Sequence, residues 1–584
     1  MLAVTPRQWG ALVALLRNQP APAPAAPPAR AYRVLGRGSW GLIGAGLDAL
    51  AQETMHLAGV TLGTLAHLPL PGFVPVVNAA LAALRRVAGA ALASRPRAEV
   101  LAHALRLGLP MAAVNTPDEF VVAEQTRARG YFRHTGFPHL GDAPFAPFPC
   151  NLSATPAMLR RPAPAPGEDE PVGFAPRSGA PVAGIAAGPV LAGVRVISFG
   201  VGAVVPELCS VLAELGADVV KIESQASLDF LRRLTPDPES PNRSWMFNDE
   251  NRGQRSVCLD LRTPRGRELA LRLCAAADVV AENRHGGLVQ RWGLDYEDVR
   301  RHRPDVIYFS SQGYGRGGPL GEAPAFGPLN AAFAGATWLW NHPDAPYPAG
   351  SSLEHPDHLA GRLGAVAVLA ALEHRGRTGE GQRIEMAQTE ATAYLMGEHY
   401  LQGACTGHPA APQGNAVEYA CPHGVFPSAG VDEWCAIAVV GDDAWERFRV
   451  CLGWPLDPAL DTLAGRLARR ASLEGRVAAW TRGRSAGDAA GTLQAAGVSA
   501  MPVQGPADHR ADAHLAARHA LVTIDDPEIG PVRHVASPLR LGRTPVAGPR
   551  PAPALGAHTE EVLTSILGLT PAEVAQLIAD GVCR

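Results

Sequence analysis

Of the 52 basic residues in this 584-residue sequence, only one, Lys221, is a lysine. Acidic residues number 55 and the net charge is -3. No block of like charge stands out, which excludes the basic face of a nucleic-acid binder. The nine cysteines never form a Cys-x-x-Cys pair. Neither a zinc site nor a disulfide framework is expected, no metal is predicted, and a reducing cytoplasm fits. The opening MLAVTPRQWGALVALL lacks the basic start and small-residue cleavage site of a signal peptide. The most apolar stretch, 57–84, is broken by His67, Pro69, Pro71 and Pro75. A membrane span needs about 20 unbroken apolar residues, so none is expected. GVGAVVPEL (200–208) lacks the G-x-G-x-x-G spacing of a dinucleotide loop, and no NAD or other permanently bound cofactor is predicted.

The length exceeds what one core usually holds, so several domains are expected. Two Pro/Ala-rich stretches, 19–30 and 161–189, read as connectors. Beyond the second, strand and helix signals alternate. VRVISFG (194–200), DVVKIES (218–224), SVCLD, DVVAE and DVIYFSS read as buried strands. Between them lie helical stretches bearing Leu208, Val211, Leu212 and Leu215, then 263–276, then 287–302. This spacing implies right-handed crossovers and a mostly parallel sheet, an α/β fold whose ligands sit at the carboxyl ends of the strands. There is also a repeat. Residues 97–132 resemble 485–521, and both run on through a Gly-containing turn to similar ends, FPCNLSATP and VASPLRLGRTP. The first 160 residues therefore read as the C-terminal half of a module whose complete copy follows.

Five blocks occur in order: LAGVRVISFG…PELCSVLAELGADVVKIES, NRGQRSVCLDLRTPRGRELALRL, ADVVAENRHGGLVQRWGLDYEDVR, RPDVIYFSSQGYGRGGP and AALEHRGRTGEGQRIEMAQTE. Together they resemble the signature blocks of the family III CoA-transferases (the CaiB/BaiF family). The resemblance implies a Rossmann-like parallel-sheet large domain with a smaller α+β domain, of the interlocked-dimer type. It divides the chain into the half-repeat (1–160), a linker (161–189), a large CoA-binding domain (190–405), a small domain (406–505) and a segment returning to the large domain (506–584).

The resemblance also implies an acyl-CoA:carboxylate CoA-transferase that works through aspartyl anhydride and aspartyl-CoA thioester intermediates, with CoA as substrate. The matching nucleophile is Asp357, in GSSLEHPDHLAGRLGAVAVL. Its local setting reads two ways. Asp357 stands where a helix with Leu359, Leu363, Val366 and Leu369 on its apolar face should begin, and Asp is a favoured N-cap. The same position favours an ionised nucleophile. Contacts to CoA are implied at Asn251, Arg252, Arg255, Asn283, Arg291 and Trp292; the arginines equally suit an ordinary surface. Lys221, alone among arginines at a strand's carboxyl end, is a further candidate. The sequence departs from the family at Ala203, Ser224 and Pro324. Racemases of this fold carry a histidine where Phe326 stands, and phenylalanine carries no proton; His355 and His358 beside Asp357 keep a racemase, isomerase or lyase open. A non-catalytic CoA-binding subunit is the third reading. Expected partners are acyl-CoA and an acceptor acid, with a homodimer or a second chain supplying the missing half-repeat. Substrate contacts are also sought in QGNAVEYACPHG (413–424).

Overall fold

The computed structural model describes residues 89–90, 92–134, 141–168, 188–234, 240–345 and 354–584. The expected connector at 19–30 and the apolar stretch 57–84 lie outside them, as does most of 161–189. The N-terminal segment opens with α1 (Arg97–Arg106), α2 (Pro117–Val122) and α3 (Glu124–Arg129). A short ladder of β1 (Arg133–His134) with β2 (Pro144–Phe145) and then β3 (Cys150–Leu152) follow. At the start of α2, Thr116 Oγ1 accepts from the Glu119 amide, and the Glu119 carboxylate accepts from the Thr116 amide. This reciprocal cap satisfies two amides that have no partner within the helix, and Pro117 in the first turn needs none.

The large sheet is built from β4 (Arg195–Ser198), α4 (Val204–Glu214), β5 (Asp218–Glu223), β6 (Arg255–Cys258), β7 (Val279–Glu282), β8 (Ile307–Gln312), α5 (Gly327–Ala334), α6 (His355–Thr378) and β9 (Gln382–Ala387). Its order is β3-β9-β8-β7-β4-β5-β6. Six strands run parallel; β3 lies antiparallel to β9, with Asn151 opposite Glu385. The strand order reverses at β4, which marks the crevice at its carboxyl end as the place for a ligand. Every residue of β7 and β8 is buried, because both faces of the sheet are covered. On one face Val205, Leu208 and Leu212 of α4 and Ala365 and Val368 of α6 pack with Phe309 and Ile384. On the other, Leu269 and Leu273 join Val562, Leu563 and Val574 of the last two helices over Val220, Val257 and Val280.

Three expectations change. The buried face of α6 is the small one, Ala360, Gly364, Ala367, Val368 and Ala371, while Val366 is 54% exposed. The helix lies so close to its neighbours that a Cβ on Gly364 would stand 2.7 Å from Phe309 and 2.8 Å from Leu208. Larger side chains are forced to the flanks. The helix also begins at His355, so Asp357 is its third residue rather than its cap. The helix expected over 287–302 is two, Leu288–Trp292 and Tyr296–Arg300, because Gly293 is left-handed and Asp295 starts a new capping box.

A second, antiparallel sheet follows, with β10 (His423–Pro427), β11 (Trp434–Ala438), α7 (Ala486–Ala495) and β12 (Ser499–Pro502) around Phe426, Ile437, Phe448, Val477 and Leu493. Then come α8 (Pro506–Ala511), α9 (Ala513–Ala517) and the hairpin β13 (Leu521–Asp526)–β14 (Gly530–Val535). These elements repeat the N-terminal segment. The helices α1 and α2 recur as α7 and α8 at an offset of 389 residues, with the same bounds. The left-handed residues Gly130 and Gly141 recur as His519 and Gly530. No helix of the described residues is long and apolar enough to cross a membrane.

Candidate active site

Asp357 points from the first turn of α6 at the first turn of α5, where its carboxylate accepts a hydrogen bond from the Gly327 amide. The approach depends on glycine: a Cβ on residue 327 would stand 2.2 Å from Asp357 Oδ2. Two helix starts thus converge on one carboxylate, each favouring negative charge. Burial works the other way and pushes the Asp357 carboxyl up to about 7, opposed by the His358 cation and the Gly327 amide and helped by Glu354 and Glu207. A partly exposed carboxylate poised near neutrality is a candidate for chemistry.

Next to it stands a charged cluster. His358 Nδ1 lies 2.7 Å from Glu207 Oε2 and 3.9 Å from Glu250. Glu207 also accepts from Arg362 Nε at 2.8 Å. The hydrogen bond to Glu207, more than any other influence, raises His358 to about 9, so His358 is a cation at neutral pH. Burial, with the Glu207 charge behind it, pushes Glu250 up to about 8.

The crevice at the carboxyl end of β4 borders this cluster. Asn283 grips the loop after β4 from both sides: its Oδ1 accepts from the Val201 amide at 2.9 Å and its Nδ2 donates to the Val201 carbonyl at 2.7 Å. Lys221 is fully buried, and its ammonium donates to the Gly200 carbonyl at 2.7 Å and to Asp229 at 3.0 Å. Asp229 in turn accepts from the Gly202 amide. The lone lysine thus shapes the loop with two of its three donors, on Gly200 and Asp229. Phe230 meets Phe326 edge to face, 6.4 Å between ring centres, joining this loop to the start of α5. Arg291 donates to the Gly286 carbonyl, and Trp292 packs against the core beneath the Arg284 guanidinium, 5.9 Å away.

The NRGQR segment runs from Glu250 into β6. Arg255 opens β6 and chelates Asp218, which opens β5, at 2.6 and 2.7 Å. Arg252 donates to the Val535 carbonyl, and Asn251 is fully buried on the Phe247 carbonyl. Arg255 thus sits at the amino ends of the strands, whereas Asn251 and Arg252 directly follow Glu250 of the charged cluster. Of the expected residues, the structure gathers Asp357, Asn283, Lys221, Arg291 and Trp292 at the carboxyl end, places Arg255 at the amino ends, and sets Asn251 and Arg252 next to Glu250.

Sequence reasoning missed Glu207, Glu250, Phe230 and Gly327. A signal existed for two. Glu207 is the one charge in VVPELCSVL, and Gly327-Pro328 is a helix start. It also missed how the N-terminal segment holds the GYGRGGP turn. Gln125 donates to the Tyr314 and Gly317 carbonyls and accepts from the Leu320 amide. Arg129 donates to the Arg316 carbonyl and pairs with Glu385 and Glu390.

The CoA-transferase family III model matches residues 3–170 and 191–559. A probable CoA-transferase of Mycobacterium tuberculosis is 32% identical over 511 residues, which is 84% of this chain but 62% of that longer protein. The succinyl-CoA–D-citramalate CoA-transferase of Chloroflexus aurantiacus is 30% identical over 66% of this chain and 96% of its own length. The succinyl-CoA:mesaconate CoA-transferase of Haloarcula marismortui is 33% identical over 61% and 91%. Among solved structures, a CaiB/BaiF family protein from Brucella suis superposes with a TM-score of 0.59 at 28% identity, covering 65% of this chain and all of its own. With a family match along most of its length and an α/β fold shared with the Brucella suis structure, this chain belongs to CoA-transferase family III.

Proposed function

We propose that the chain is an acyl-CoA:carboxylate CoA-transferase with Asp357 as nucleophile. The observation that carries this is the Asp357 carboxylate set against the Gly327 amide at two converging helix starts. An Asp357 oxygen attacks the donor thioester carbonyl; the C–S bond breaks, CoA leaves as thiolate, and a mixed anhydride remains. The thiolate attacks the aspartyl carbonyl and releases the donor acid as carboxylate, leaving an aspartyl-CoA thioester. The acceptor carboxylate then displaces the thiolate to form a second anhydride, and the thiolate takes the acceptor's acyl group, restoring Asp357. The helix starts and the Gly327 amide stabilise the oxyanions along the way, and the His358 cation favours the attacking carboxylate. Asn283, Arg291 and Trp292 remain the proposed CoA contacts, with CoA as substrate throughout. Relatives are named for succinyl-CoA as donor, so succinyl-CoA with a dicarboxylic acceptor is the pair to try first. We read 190–405 as the CoA-binding domain, 406–505 as the small domain and 1–160 as the half-repeat. The assembly we propose is a homodimer, with a second chain supplying the missing half-repeat as the alternative.

The test is mass spectrometry after incubation with succinyl-CoA and trapping with hydroxylamine. A hydroxamate at Asp357, absent in Asp357→Ala, supports the route. No label on Asp357, together with deuterium exchange at the α-carbon of a branched acyl-CoA, would replace it with the racemase reading.

A further inference from the structure

Residues 580–584 cross the carboxyl edge of the large sheet. The helix Pro571–Ala579 is followed by Gly581, left-handed at φ 74°, and this turn sends Val582 and Cys583 back into the core. Their amides both donate to the Leu577 carbonyl, at 2.9 and 3.1 Å. The tail is then stitched to two strand exits in succession. The Val582 carbonyl accepts from the Asp260 amide at 2.8 Å, just past β6. The Arg584 main-chain oxygen accepts from the Gln225 amide at 3.1 Å, just past β5. In the sheet β6 and β5 are followed by β4, so the tail runs towards the crevice. It leaves Arg584 beside the exit of β5, one strand spacing, about 5 Å, from that of β4. Arg584 is exposed, and no described residue pairs with its guanidinium.

We propose that Arg584 gives the crevice its cation for the phosphate on the ribose of CoA, an inference that rests on the CoA reading of this site. In sheets of this kind a nucleotide lies across the crevice with its ribose over the strand next to the switch point, and an arginine near that strand's carboxyl end accommodates a ribose phosphate. Here that strand is β5, and the groups at its own end are already engaged. Lys221 is held by Gly200 and Asp229. The buried Arg232 forks onto Glu223 at 2.9 and 2.7 Å, and the rest of its guanidinium is on Asn242 and the Pro553 carbonyl. Ser224 turns its hydroxyl to the Ser227 amide. Across the crevice, Arg284 donates to the Phe199 carbonyl and Arg291 to the Gly286 carbonyl. Arg584 comes to the same edge with its planar fork unoccupied, the shape that matches a phosphate. Val582 and Cys583, buried on the core side, fix its place there.

Calorimetric titration of the full chain with CoA and with 3′-dephospho-CoA tests this, since the two ligands differ only in the ribose phosphate. The wild type should bind CoA about 10- to 30-fold more tightly, as expected for charge-assisted hydrogen bonds at an exposed site. Arg584→Gln should weaken CoA by that factor and leave the two ligands equivalent, and Arg584→Lys should keep part of the preference. Arg233→Gln, which removes another exposed arginine on the loop after β5, should keep the wild-type ratio. Melting curves establish that the variants are folded. A preference that survives in Arg584→Gln would overturn this proposal and leave the CoA reading standing. So would equal weakening of both ligands, which would make the tail a support for the loop, or loss of the preference in Arg233→Gln instead. A wild type that binds neither ligand would overturn the CoA reading and this proposal with it.

Discussion

Replacing Asp357 by asparagine should abolish transfer while stabilising the fold, and the gain should depend on pH in a defined sense. The carboxyl titrates near 3.8 in the unfolded chain and near 7 in the folded one. Between those values the folded state holds a proton that the unfolded state has lost, so wild-type stability falls as pH rises. Asparagine has no proton to lose. The difference between variant and wild type should thus be smallest near pH 4, grow up to about pH 7 and then level off. A shift of about three units corresponds to at most about 4 kcal/mol; screening at the partly exposed side chain reduces this to about 2 kcal/mol. At roughly 2–4 °C per kcal/mol, the melting temperature of Asp357→Asn should exceed that of wild type by roughly 4–8 °C at pH 8 and by little at pH 4.5. Scanning fluorimetry across that range, beside a transfer assay, measures both. A variant less stable than wild type at pH 8, or a difference that ignores pH, would refute the reasoning.

Gly327→Ala should cut kcat roughly 100-fold with a nearly unchanged melting temperature, because the added Cβ displaces the carboxylate while the helix tolerates alanine; steady-state kinetics and a melt decide it. Glu207→Gln should drop His358 from about 9 towards its ordinary 6.5, since the hydrogen bond to Glu207 is the largest cause of its shift; NMR titration of the imidazole reads this directly. Lys221→Met strands the buried Asp229 carboxylate and should cost about 3–5 kcal/mol in urea unfolding. Adding Asp229→Asn should recover part of that loss.

The parallel strands could be read from sequence almost to the residue, because a sheet covered on both faces needs unbroken runs such as DVVAE and DVIYFSS, and few other arrangements bury them. The helix carrying Asp357 was harder. Its large apolar residues suggested one face, yet close packing on Leu208 and Phe309 selected the alanines and glycines. Residue spacing alone does not reveal how near a neighbour lies. The same limit applies to the site. Asp357 stood out through its surrounding blocks, whereas Glu207 reaches His358 from 151 positions away. The arginines of NRGQR read from sequence as phosphate ligands, and spacing did not reveal their ion pairs with Glu214 and Asp218.

The edge strand β3 also sets a timetable for synthesis. Its partner on β9, Ile384–Met386, is made roughly 230 residues later. At roughly 5–20 residues per second a ribosome takes on the order of ten to fifty seconds to cover that distance. For all of that interval Phe120, Tyr131 and Leu152, buried in the finished molecule, are without the surface that covers them. The nascent chain therefore depends on whatever shields an apolar segment near the ribosome.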